Sequence, residues 1–71
     1  IQVAPERGDA LNNYGTFLCR TGHYNQSVQY FLKAASKSEY LDPAAAYENA
    51  GVCSAKAGSY KNAAQYFKQA L

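Results

Sequence analysis

The sequence predicts an all-α fold, an α-solenoid of antiparallel helix pairs stacked with a right-handed superhelical twist. Three observations lead there. The first is an internal echo: Asn13-Tyr14-Gly15, Gly22 and Tyr24 return 36 residues later as Asn49-Ala50-Gly51, Gly58 and Tyr60. Superposing the chain on itself at that offset aligns 35 pairs, 9 of them identical, and the match runs on through Gln29-Tyr30-Phe31 and Gln65-Tyr66-Phe67. A fixed period in this range marks a repeat array, in which one supersecondary unit stacks on the next. The second is composition, rich in Ala and Tyr with only 2 Pro, which suits helices. The third is apolar spacing at i, i+3, i+4 and i+7, the period of one helix face.

In chain order, residues 1–6 read as the end of a preceding repeat, with Pro5 as a stop. Residues 7–41 form one repeat and 42–71 a second, incomplete at its C-terminal end; with no Met in the sequence, the whole reads as a piece of a longer chain. The first helix runs from about Arg7 to Arg20 and turns Leu11, Tyr14, Gly15 and Leu18 inward. In Arg7-Gly8-Asp9 the Gly and Asp are expected to cap it, which leaves the adhesion tripeptide they spell without meaning. Thr21-Gly22-His23 ends the helix, Gly22 supplying the left-handed closing residue. The second helix, Tyr24 to about Ser36, places Tyr24, Val28, Phe31 and Ala35 inside.

After a loop over Ser38 to Leu41, Asp42-Pro43 opens the third helix, with Asp as N-cap and Pro in the first turn, where its missing N–H does no harm. This helix, Pro43 to Lys56, turns Tyr47, Ala50, Gly51 and Ser54 inward. A turn at Ala57-Gly58-Ser59 leads to the fourth, Tyr60 to Leu71, using Tyr60, Ala63, Ala64 and Phe67. Glycine inside a helix costs roughly 1 kcal/mol against Ala, so Gly15 and Gly51 answer a packing need. We read them as points of close approach, Gly15 facing Ser27 and Phe31, and Gly51 facing Ala63 and Phe67.

These residues resemble the tetratricopeptide repeat, whose pattern is a large residue, x2, Leu-Gly, x2, Tyr, then Ala-x3-Phe. Leu11-x2-Tyr14-Gly15-x2-Leu18 with Ser27-x3-Phe31 is one copy, and Tyr47-x2-Ala50-Gly51-x2-Ser54 with Ala63-x3-Phe67 the other. Trp is absent, Tyr14 and Ala50 replace Leu, and Leu18 and Ser54 replace Tyr. The period is also two residues longer than the usual 34. A narrower resemblance rests on Asn12-Asn13-Tyr14-Gly15-Thr16-Phe17-Leu18-Cys19, Tyr30-Phe31, Tyr40-x2-Pro43 and Glu48-Asn49-Ala50-Gly51-Val52-Cys53. Together they are similar to the PilF/PilW family of type IV pilus biogenesis lipoproteins. That resemblance implies a pilotin on the periplasmic face of the bacterial outer membrane, helping the pilus secretin reach that membrane and multimerise. It also implies a lipid-bearing Cys outside these residues.

Cys19 and Cys53 lie late on the first helices of successive repeats, almost one period apart, so stacking brings them close. A bridge between them would stabilise by about 4 kcal/mol at most on loop-entropy grounds, and the periplasm the resemblance implies would permit it. The alternative is two buried thiols, which pack as small hydrophobes.

The first helix of each repeat lines the concave wall of such an array. A partner-binding stripe is expected at Asp9, Asn12, Asn13, Thr16 and Arg20, continued by Glu48, Asn49, Val52 and Lys56. Asn13 and Asn49 are equivalent; they form either an amide ladder that clamps an extended peptide or simple bonds to their neighbours. Asn12 and Ala45 stand where clamps for acidic C-terminal tails carry Lys, which disfavours that activity.

Other functions find little support. Net charge is only +2 with no Lys/Arg cluster, so nucleic acid is not an expected partner. No apolar run reaches membrane-span length. His23 is the only His and no metal-ligand spacing occurs, so neither metal nor cofactor is expected. No acid pair or nucleophile–base set suggests catalysis. The Asn25-Gln26-Ser27 sequon falls on a helix contact. The expected role is a non-catalytic protein–protein scaffold. The alternative is generic peptide-binding or spacer repeats within a larger regulatory protein, and cut ends would make the piece self-associate or leave it weakly stable.

Overall fold

The structure, a computed structural model, describes residues 7–38 and 40–71. The expected end of a preceding repeat at 1–6 and the residue Glu39 lie outside the described residues. Four helices account for most of the described residues: α1 (Gly8–Arg20), α2 (Tyr24–Ser36), α3 (Pro43–Lys56) and α4 (Tyr60–Ala70). No strand occurs among the described residues.

Connections of three residues join α1 to α2 and α3 to α4, too short for anything but antiparallel hairpins. The two turns are made by the same bonds. In the first, the N–H of His23 donates to the Leu18 carbonyl (2.8 Å) and that of Gly22 to Cys19 (3.1 Å). In the second, Ser59 donates to Ser54 (2.9 Å) and Gly58 to Ala55 (3.0 Å). Both are Schellman motifs, which require a residue at positive φ; Gly22 and Gly58 supply it at 89° and 86°. The Thr21 hydroxyl adds bonds to the Phe17 and Leu18 carbonyls.

Helix starts differ. Asp42 caps α3 by accepting from the Ala45 N–H at 3.1 Å, with Pro43 following. At α1 the expectation that Gly8 and Asp9 cap the helix is corrected: Arg7 is the N-cap residue, without a side-chain cap bond. Asp9 lies inside the first turn, where its carboxylate complements the helix dipole and pairs with the Arg7 guanidinium at 3.1 Å. That guanidinium is the main reason the Asp9 carboxyl titrates below the ordinary range. The loop ahead of α3 folds back so that Tyr40 lies over Gly8. Burial there raises the Tyr40 phenol, with the Asp42 and Asp9 carboxylates adding to it.

The hairpins pack through α2, which contacts both α1 and α3, whereas α4 contacts α3 alone. Cys19, Val28, Phe31, Ala50 and Cys53 form the buried cluster, with Tyr24, Leu32 and Tyr66 packed around it. A Cβ on Gly15 would stand 2.9 Å from the Phe31 ring, and one on Gly51 2.7 Å from the Phe67 ring. Each mid-helix glycine therefore lets an aromatic ring rest on bare backbone. Ser27 is fully buried, its hydroxyl satisfied by the Tyr24 carbonyl at 2.7 Å.

Several inward assignments need correction. Ala34, not Ala35, is the fully buried alanine of α2. Tyr14 is 47% exposed, Tyr60 71% and Phe67 39%, and Ala64 is exposed as well. The reason is common to all of them. Tyr14 sits on the side of α1 turned away from the second hairpin, and α4 is covered by α3 on one side only.

Candidate functional site

The wall shared by the two hairpins is built from α1 and α3, which meet along a short line. Their alignment is fixed at two points. A disulfide joins Cys19 to Cys53, with Cα atoms 6.0 Å apart. Nearer the helix N-termini, the Asn49 side-chain amide donates to the Asn12 side-chain oxygen at 3.3 Å, and both residues are half-buried. One covalent and one polar tie thus hold the same pair of helices, about two turns apart on α1 and about one turn apart on α3.

Over this line lies a shallow groove of about 240 Å³, lined by Thr16, Arg20, Asn49, Val52 and Lys56 above the disulfide and the edge of Phe31. Its chemistry is graded along the helices. Arg20 and Lys56 are basic residues in the last turns of α1 and α3, where cations complement the helix dipoles. Asp9 lies in the first turn of α1, and Glu48 stands in the N-terminal half of α3. An extended chain crossing the two helices would meet two cations side by side at one end of the groove. Toward the other end the lining is Thr16 and the half-buried Asn49, with no carboxylate in it. The floor between, made of Cys19, Cys53, Val52 and Phe31, is apolar.

Of the nine residues expected to bind a partner, the groove gathers Thr16, Arg20, Asn49, Val52 and Lys56. Asn12 joins them through Asn49. Asn13 and Glu48 are exposed on the same two helices outside the groove. Asp9 is engaged by Arg7 at the mouth of α1. The suggested ladder of Asn13 with Asn49 is replaced by an Asn12–Asn49 pair, because α3 approaches α1 along the Asn12 side. The amide of Asn49 is consequently spent on its neighbour. The packing residues Gly15, Ser27, Gly51, Ala63 and Phe67 lie outside the groove's lining, whereas Phe31 both rests on Gly15 and reaches the groove floor.

Reading the sequence missed one surface. Tyr14, Phe17 and Tyr30 form an aromatic cluster on the outer flank of the first hairpin. Tyr14 stands edge-on to Tyr30 at 4.8 Å and stacks with Phe17 at 6.2 Å, and the Lys33 ammonium sits 5.3 Å from the Tyr30 ring centre. The signal was available: Tyr14 and Phe17 are i, i+3 on α1, and Tyr14 occupies the position that Ala50 holds in α3. Among the described residues no helix is long and apolar enough to cross a membrane, and no cluster of three or more metal-ligating side chains occurs.

Two curated relatives are similar to the chain. An uncharacterized protein of Haemophilus influenzae is 36% identical over 53 residues, covering 75% of this chain and 30% of that protein. The type IV pilus assembly protein PilF of Pseudomonas aeruginosa is 33% identical over 61 residues, 86% of this chain and 24% of its own. The chain therefore spans less than a third of the length of these relatives, and neither is named as an enzyme. No family model matches the chain. No solved structure matches it.

Proposed function

We propose that this chain is a non-catalytic protein–protein interaction scaffold, two tetratricopeptide-type repeats of a solenoid, working in type IV pilus biogenesis. The observation that carries the reading is the wall in which α1 and α3 are locked side by side by Cys19–Cys53 and Asn12–Asn49. Locking two equivalent helices in register creates a continuous surface that neither hairpin has alone. The similarity to PilF, which covers most of this chain, supports the pilus assignment. In this reading the parent protein is a lipoprotein pilotin. It is held at the periplasmic face of the outer membrane by an anchor outside these residues, and it assists secretin localisation and assembly. The partner segment is an extended peptide of the secretin or another pilus assembly component. Its acidic side chains meet Arg20 and Lys56, and its apolar ones rest on Val52 and the disulfide.

A second reading, repeats that act as spacers or generic peptide binders in a larger regulatory protein, draws support from the Asn49 amide. It is bonded to Asn12 and does not point outward as a free clamp would.

The two readings part in a complementation experiment with the full-length protein carrying Arg20→Glu and Lys56→Glu together. Both side chains are exposed, so folding is expected to persist. Loss of detergent-resistant secretin multimers from the outer membrane, at unchanged protein level, supports the pilotin reading. Normal multimers and normal piliation refute this groove as the contact.

A further inference from the structure

Three features of the groove over α1 and α3 select what lies in it. The first is charge. Arg20 and Lys56 stand at its turn end, and no carboxylate among the described residues pairs with either. Asp9 and Glu48 belong to the N-terminal halves of the same helices, and Asp42 caps α3 from its far end. Two cations set side by side favour an anion between them, and a cleft end of one sign concentrates such groups.

The second feature is the hydrogen-bonding capacity left over. Thr16 donates its hydroxyl proton to the Asn12 carbonyl at 3.0 Å, so toward the groove its oxygen can only accept. Asn49 directs its amide at Asn12, and no described residue donates to its side-chain oxygen. Both oxygens call for donors. An extended chain has main-chain N–H groups to give, whereas a helix has spent all but those of its first turn internally. The groove, at about 240 Å³, is also too small to seat a helix about 10–12 Å across.

The third feature is spacing. The disulfide holds the α1 and α3 backbones 6.0 Å apart at the groove floor. Side chains on one face of an extended chain recur every second residue, about 6.6 Å. A segment passing from α1 to α3 therefore turns residues two apart toward the two helices, one to Arg20 and the next to Lys56. The covalent tie sets this spacing before any partner arrives, which removes an ordering cost from binding.

We propose that the groove selects an extended segment with carboxylates at alternate positions, its main-chain N–H groups bonded to the Thr16 and Asn49 oxygens. This rests on the groove being the partner contact, and it adds the conformation and the residue pattern that the partner must have. Arg20 and Lys56 read side chains, while Thr16 and Asn49 read main chain.

NMR titration of the 71-residue chain with synthetic peptides capped at both ends tests it. Val-Ser-Glu-Ser-Glu puts Val and both acids on one face, and it is expected to shift the Thr16, Arg20, Asn49 and Lys56 amide signals at millimolar concentration. Val-Ser-Ser-Glu-Glu has the same composition and charge and should bind about threefold more weakly. Val-Ser-Lys-Ser-Lys should leave those signals in place. Arg20→Gln and Lys56→Gln, both at exposed positions, should each weaken binding about threefold to fivefold. Methylating the main-chain nitrogens of the first peptide should weaken it about threefold or more. No shift with the first peptide overturns the proposal, and so does equal binding of the lysine, adjacent-acid or methylated peptide. Lost secretin multimers in the Arg20→Glu, Lys56→Glu protein without peptide binding would keep the partner reading and overturn this one. Peptide binding with normal multimers would keep this site and remove the pilus partner.

Discussion

Phe31 and Phe67 occupy the same place in two hairpins of the same design, yet one is 1% exposed and the other 39%. Each rests on a mid-helix glycine, and each follows a Gln-Tyr pair. The helices that carry them diverge in the same way, with four buried residues in α2 and Ala63 alone in α4. The difference is the neighbour. A third helix covers α2 from the side of the second hairpin, and nothing among the described residues does so for α4. In a repeat array the unit supplies the residues, but the adjacent unit makes them a core.

The largest expected effect follows directly. Phe31→Ala opens a cavity under a closed core and should cost about 3–5 kcal/mol, comparable with the whole stability of so small a domain. Urea titration should show no cooperative transition. Phe67→Ala should keep one, with a lower midpoint, because part of that ring is already in water. Equal losses at the two sites would break the comparison.

Next is the disulfide, which spans 34 residues and ties the strong hairpin to the weak one. Reduction should remove about 2–4 kcal/mol. For a domain of this size that lowers Tm by roughly 10 °C or more. Amide exchange should then show α4 opening before α2; the reverse order would mean that the second hairpin is not the dependent one.

The glycines sharpen the contrast further. Gly15→Ala drives a methyl against the enclosed Phe31 ring, and we expect a loss of about 1–3 kcal/mol from overpacking. Gly51→Ala meets Phe67 slightly closer, but that ring can swing toward solvent. The gain in helix propensity, roughly 1 kcal/mol, should then bring the change near zero or make it stabilising. Opposite signs in thermal melts would establish that freedom of the ring, not distance, decides.

The smallest effect is at the helix starts. Asp42→Ala removes the side-chain cap of α3 and should cost about 1 kcal/mol, seen as a lower urea midpoint at unchanged slope. No change would place the ordering of α3 wholly in its contacts with α2 and α4.

The sequence by itself determined the four helices, the turns that close α1 and α3, and the start of α3. Gly22 and Gly58 had to close α1 and α3, Asp42 and Pro43 had to open α3, and the period had to produce two hairpins. All of these act over a few residues, through backbone conformation and capping, and so are written locally. The tertiary structure alone decided which of two equivalent aromatics became core and that Asn49 pairs with Asn12 rather than forming a ladder with Asn13. It also decided that Tyr14, an inward residue by spacing, became part of an exposed ring cluster. Those outcomes depend on what lies beside a helix rather than along it, and identical residues can be given different neighbours.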